Sequence, residues 1–357
     1  MVAPALAQPL GPAAERRTAP GGGGHQRGDP LPVGHRAPAA RWCPATAAAR
    51  RRRRQLTVAG APVAVPRDHE GPILIGLVTD SNAQLPLALA RRYGVEIVPL
   101  TVTIDGHPYL EGTEIDADGF YARFAGGHRP EVSTAAPGPG PFARAFATLA
   151  GRGAGEILAV HIGSALSGTL NSARLAAEAA PVPVRLVDTG TASFGVACCV
   201  WEAAEALARG ASLDEAAAAA ARAGREVRTV FTAGALDLAE AGGRLAPGTV
   251  GAGEGGIPVL TLDGGQMRTA GHAHGFDEAV DIIAGHVLEA AAASSLRVGL
   301  GIADASARPW WEALEARLAG AAGVGEMVRY RIGPSVGAHT GPGTAGVCFY
   351  PSPLTAG

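Results

Sequence analysis

From residue 73 onward, short apolar runs alternate with stretches of helical spacing. "ILIGLVTDS" (73–81) is an apolar run that closes on Asp80 and Ser81, "LPLALARRYG" (85–94) has helical spacing with a glycine stop, and "VEIVPLTVTI" (95–104) predicts one strand. The alternation continues through "FARAFATLAGRG", "EILAVHI", "LNSARLAAEAA" and "VRLVDTG", and a long Ala-rich helix is predicted through 192–224. Strands alternating with helices build βαβ units on a parallel sheet, so residues 73–228 are expected to form an N-terminal Rossmann-like α/β domain. Ligands of such sheets sit at the carboxyl ends of the strands. The candidate ligand loops therefore follow Val78, Ile162 and Val187, and "TDSNAQLP", "GSALSG" and "DTGTASFG" are all rich in small hydroxyl residues.

The texture changes near residue 228. "VRTVFTAGALDLAEAGGRL" predicts a strand and a short helix, "GIPVLTLDGGQMR" a hairpin turning at Asp-Gly-Gly, and "DEAVDIIAGHVLEAAA" a helix. "LRVGLGIAD" and "VGEMVRYRIG" read as strands on either side of the helix "PWWEALEARLAG". This mixture predicts a second, C-terminal α+β domain with a mixed sheet over residues 229–357. Residues 1–72 show no sustained period. "APGGGGHQRGDPLPVGHRAPAARW" is rich in Gly, Pro, Ala and Arg, a composition that cannot bury enough surface to offset its ordering entropy, so this tail is expected to be disordered.

Charge sharpens that division. The chain of 357 residues has a formal charge of −2, but residues 1–72 hold 11 of its 30 basic residues and 4 of its 32 acidic ones, which leaves 19 against 28 in residues 73–357. Nucleic-acid affinity rests on many Lys/Arg–phosphate contacts, so no nucleic-acid partner is expected, and Arg50–Arg54 read as a solvated charge run. Every basic residue is Arg, which excludes Schiff-base chemistry and a P-loop lysine. The apolar runs are too short to span a membrane, leaving at most peripheral membrane contact. Four cysteines without CxxC spacing, and no secretory h-region, fit a reducing, cytoplasmic setting. The histidines form no HxxxH or HExxH pattern, and His272 with His274 alone is a weak ligand pair; neither metal nor cofactor is expected.

The densest chemistry lies in "IGSALSGTLNSA" (162–173), where hydroxyls and a glycine precede a helical stretch. A helix start offers unpaired N–H groups and the positive end of the dipole, so it can hold an anion; the same residues are also ordinary capping punctuation.

Seven stretches, "LVTDSNAQLP", "VEIVPLTVTIDGHPYLEGTEIDADGFYARF", "STAAPGPGPF", "HIGSALSGTLNSA", "VDTGTASFG", "LDLAEAGGRL" and "IGPSVGAHTGPGTAGV", resemble in order and spacing the signature segments of the DegV family, across about residues 73–350. The resemblance implies a protein of two α/β domains that clasps one long-chain fatty acid between them. It further implies a binding subunit without catalytic residues of its own, which presents the carboxylate to the separate ATP-binding subunit of a bacterial fatty acid kinase for acyl-phosphate formation. By the same resemblance the head-group site is similar to Thr134 in "STAAP", Ser167 in "LSGT", with Ser164 and Gly168 in the same loop, and His339 in "GAHTGPG". His339 is expected in a Gly/Pro loop between strands. Arg244 in "GGRL" matches a basic position near the pocket or partner face, or is a solvated helix end. Asp80 and Ser81 match the family's "TDS", or are a helix cap. A carboxylate accepts about four hydrogen bonds, which hydroxyl, imidazole and N–H donors supply without a full ion pair.

This chain departs from the family pattern where Ala135-Ala136 replace Ser-Gln, where Ile302 replaces a histidine in "GIADA", and where Pro258 lacks a preceding Lys. The first change predicts a thinner head-group network, and the other two bear on the partner surface. The alternative function is a sugar-phosphate isomerase-like enzyme that uses "SALSGT" as a phosphate loop, although no Glu/His acid–base pair stands near that loop in sequence.

Overall fold

Three sheets organise the chain in the computed structural model, which describes residues 73–243, 245 and 256–351. The expected disordered tail, 1–72, and Arg244 lie outside the described residues. The first part runs β1 (Ile75–Asp80), α1 (Leu87–Tyr93), β2 (Glu96–Val98), β3 (Thr101–Ile104), β4 (His107–Leu110), α2 (Ala117–Tyr121), β5 (Val132–Ala135), α3 (Pro139–Gly151), β6 (Glu156–His161), α4 (Thr169–Ala177), β7 (Val184–Asp188), α5 (Phe194–Ala208) and α6 (Leu213–Glu226). The second runs β8 (Arg228–Thr232), α7 (Leu236–Ala241), β9 (Ile257–Asp263), β10 (Gln266–Ala273), α8 (Phe276–Ala291), β11 (Leu296–Ile302), α9 (Arg308–Leu318), β12 (Val324–Arg331), α10 (Pro334–Thr340) and β13 (Ala345–Pro351).

The expected parallel sheet is present, in the order β2-β1-β6-β7. So is the mixed sheet, six strands in the order β10-β9-β8-β13-β11-β12, in which β11 and β12 are parallel across the crossover helix α9. The Asp-Gly-Gly hairpin forms as read: Gly264 and Gly265 take φ of 56° and 81° between β9 and β10, the positive pair that a two-residue primed turn needs.

Two expected elements are divided. "VEIVPLTVTI" is not one strand: β2 ends at Val98, and β3 starts at Thr101 in a different, three-stranded antiparallel sheet ordered β4-β3-β5. Pro99 cannot donate to a ladder, so the chain leaves the first sheet there. The Ala-rich helix is also two helices. Gly210 takes φ of +87° after α5, and Ser212 with Glu215 makes a capping box that starts α6.

α5 and α6 lie between the parallel and mixed sheets and share a core with both. Phe194, Val196, Val200 and Trp201 are buried, and the helix is apolar around its circumference, as a middle layer requires. The buried Glu202 of α5 is paired: it accepts from Arg297 Nη1 at 2.7 Å and from the Tyr350 hydroxyl at 2.9 Å. Cys198, Cys199 and Cys348 are free, buried thiols, and burial pushes the Cys199 thiol far up. No helix among the described residues is long and apolar enough to cross a membrane.

Candidate functional site

The carboxyl ends of β1 and β6 and the loop after β7 converge on the mixed sheet around a cavity of about 280 Å³. That is near the lower edge of the roughly 300–1,000 Å³ common for small-molecule sites. One part of the wall is polar, with Thr134, Ser167, Gly168 and His339; Leu100, Ile162, Leu166, Leu262, Phe231, Met267, Ile332, Val336 and Val347 make most of the remainder apolar. None of the described lining residues is Arg.

Each polar group has a local reason for its place. Thr134 sits on β5, fixed by pairing with Val102 of β3. His339 is on α10 rather than in the Gly/Pro loop expected from sequence: Pro334 occupies the first turn, where its missing N–H is tolerated. Thr134 Oγ1 and His339 Nε2 are 3.0 Å apart. Ser167 precedes the N-cap of α4, and its hydroxyl lies 2.8 Å from Thr169 Oγ1. A Cβ on Gly168 would come 3.9 Å from Ala136 Cβ, so the start of α4 meets the end of β5 here. Ala135 and Ala136 give this part of the wall methyl groups only.

The other sequence candidates stand outside the cavity lining. Ser164 is exposed and bonds Asp188 through both its N–H and its hydroxyl. Burial raises the Asp188 carboxyl, but the bonds from Ser164 and the Gly190 N–H outweigh it and hold the group below its ordinary value. Ser164 is thus taken up by Asp188, and of the serines of "SALSGT" it is Ser167 that lines the cavity. Asp80 is fully buried. Its Oδ2 is 3.0 Å from both His161 Nδ1 and the Ile162 N–H, and its Oδ1 accepts from the Asn82 N–H at 3.1 Å, so one carboxylate ties together two loops that line the cavity. Ser81 donates to Glu111 Oε2 at 2.5 Å and accepts from the Leu100 N–H at 2.9 Å.

Sequence reading missed Glu111 and Gly242. Glu111, 5% exposed, also accepts from the Ser335 N–H at 2.9 Å and Gln84 Nε2 at 3.4 Å, and so fastens α10, the helix of His339, to the loop after β1. Burial pushes its carboxyl up, against the pull of the bonds from Ser81, Ser335 and Gln84. A Cβ on Gly242 would fall 2.2 Å from His339 Nδ1; the glycine of "AGGRL" clears space for the imidazole. "GPSVG" (333–337) also has the GxSxG spacing of hydrolase elbows, which need a strained serine backbone. Ser335 has no positive φ and its hydroxyl accepts from Asn82 Nδ2 at 3.3 Å, so it is a helix residue in a structural bond.

The family model described as "Uncharacterised protein, DegV family" matches residues 74–352. The chain belongs to the DegV family. A DegV domain-containing protein of Streptomyces coelicolor is 34% identical over 276 residues, 76% of this chain and 97% of the relative. One from Deinococcus radiodurans is 32% identical over 282 residues, 78% and 98% of the two chains. Among solved structures, a DegV family protein from Thermus thermophilus described by its fatty acid binding matches with a TM-score of 0.71 and 34% identity, over 78% of this chain and 100% of that one. A DegV lipid binding protein from Thermotoga maritima matches with a TM-score of 0.69 and 26% identity, over 78% and 98%.

Proposed function

We propose that this DegV protein binds one long-chain fatty acid, with the carboxylate at Thr134, Ser167 and His339 and the acyl chain in the apolar remainder of the cavity. The carrying observation is the cavity's make-up: a Thr–His pair 3.0 Å apart beside Ser167, and a wall whose larger share is aliphatic and aromatic carbon, interrupted by the hydroxyls of Ser193, Thr229, Thr340 and Thr344. Fatty acid binding by the Thermus relative at 34% identity supports the same assignment. Burying methylenes contributes about 0.8 kcal/mol each, so a tail of about 14 carbons contributes near 10 kcal/mol before binding costs. A head-group hydrogen bond to a charged group adds only about 1.5–3 kcal/mol.

In this reading the protein is a carrier without catalysis of its own. It presents the carboxylate to the ATP-binding subunit of a fatty acid kinase, which forms the acyl phosphate, and the 73–228 and 229–357 halves act as its two jaws. The test pairs Ser167→Ala with Thr134→Val in one protein. Acyl-phosphate formation by a cognate kinase should fall sharply, because the carboxylate is no longer positioned, while the protein alone forms none. Unchanged lipid retention and unchanged phosphorylation would reduce the hydroxyls to a helix cap.

A further inference from the structure

The apolar end of the cavity is shaped by glycines. On one face of the mixed sheet, strand pairing sets Phe231 beside Gly346, Gly346 beside Gly301, and Gly301 beside Tyr330. In the next row Gly299 pairs with Cys348. A Cβ on Gly301 would lie 2.3 Å from Tyr330 Cζ, and one on Gly299 2.3 Å from Phe194 Cδ1. Each ring thus occupies the space a side chain would take, the use of strand glycine where another group approaches closely. The two rings stack, with centroids 4.4 Å apart and planes 11° from parallel.

Ser193, which lines the cavity together with Tyr330, also holds the stack. Ser193, at φ +56° and ψ −145°, has a backbone that non-glycine residues rarely adopt, and such strain is a pointer to function. Its N–H donates to Asn82 Oδ1 at 2.9 Å, and its side chain faces the Tyr330 hydroxyl. Cys348 Sγ is 3.8 Å from that hydroxyl. Position along β13 fixes which end this is. Thr344, bonded to Thr340 of α10 at 2.8 Å, marks the His339 end; Thr344, Gly346 and Val347 line the cavity, which reaches Thr229, the residue paired with Cys348, roughly 13 Å along the sheet from Thr344 at strand spacing.

We propose that Tyr330, laid across Gly301 and backed by the stacked ring of Phe194, is the end wall of the acyl slot and sets the longest chain the protein accepts. The inference rests on the fatty-acid reading of the cavity. Up to the wall each added methylene strengthens binding about fourfold; beyond it the chain must displace a stacked, buried ring or fold back. Affinity therefore peaks at one length.

The test measures binding of saturated fatty acids of about 10 to 20 carbons to the delipidated full chain. Tyr330→Val should move the affinity maximum to longer chains by about two carbons, and Tyr330→Phe, which keeps the ring, should leave it in place. Because Tyr330→Val opens space in the core and can fail to fold, Gly301→Ala supplies an opposite readout: its Cβ drives the ring toward the slot and should shift the maximum to shorter chains. Tight wild-type binding with an unshifted maximum in the folded variants overturns the end-wall assignment alone. Absence of saturable binding of any fatty acid to the wild type overturns the fatty-acid reading, and this inference with it.

Discussion

At one end of the cavity, three segments distant in sequence bring Thr134, Ser167 and His339 to a shared polar wall; at the other, neighbouring strands of a single sheet present Phe231, Gly346 and Tyr330. The polar end depends on long-range tethers. Glu111 joins Ser81 to Ser335, Asp80 joins Asn82 to Ile162, and Gly242 makes room for His339. The apolar end is held by strand register and ring stacking. On the proposed fatty-acid reading, orientation depends on a few bonds that a single substitution can break, whereas affinity depends on area and is spread over many contacts.

The largest expected effect acts on area. Shortening the ligand by four methylenes should weaken binding by about 3 kcal/mol, roughly 200-fold, as read by isothermal titration. A loss under about tenfold would mean that the tail lies outside the slot. Next is Glu111→Ala, which strands the buried Ser335 N–H and its companions and should destabilise the fold by about 2–3 kcal/mol in urea. Glu111 has a raised pKa when folded, so the neutral form favours the folded state: its stability contribution is full below the ordinary value of 4.5 and is lost as pH rises through the raised value. Glu111→Gln should flatten the stability–pH curve in that window, and an unchanged slope would contradict the burial argument.

Smaller effects test the polar end. Gly242→Ala is compatible with its backbone at φ −78°, so melting should change little while displacement of His339 weakens fatty-acid binding. Ser167→Ala should weaken binding by about tenfold and reduce acyl-phosphate formation by much more. The smallest is Ser164→Ala: it removes a bond to Asp188 outside the cavity lining, so fatty-acid affinity should be unchanged, and a tenfold loss would place that loop in the site.

Local pattern carried much of this into view. Period and turn chemistry made the parallel sheet, the Asp-Gly-Gly hairpin and the three hydroxyl-rich loops legible, because each is specified within a few residues. The antiparallel sheet was missed although Asp105 and Gly106, at φ 49° and 79°, are a primed-turn signal of the same kind. His339 was misplaced in a loop because the contacts that steady α10, from Glu111 and Gln84 to residues 333–335, span more than 220 positions. Glu111 itself carries no local mark, since only the fold surrounds it with donors. The alternating glycines of "VGLGIAD" were readable as a close approach, but the rings that fill the space come from α5 and β12.

The most direct test of the central claim is denaturing mass spectrometry of the protein purified in its native state. The expected result is one fatty acid of about 14–18 carbons per chain, retained by the wild type and depleted when Thr134→Val, Ser167→Ala and Gly242→Ala are combined. A wild-type protein that carries no lipid and takes none up, or that carries a phosphorylated sugar instead, would contradict the account.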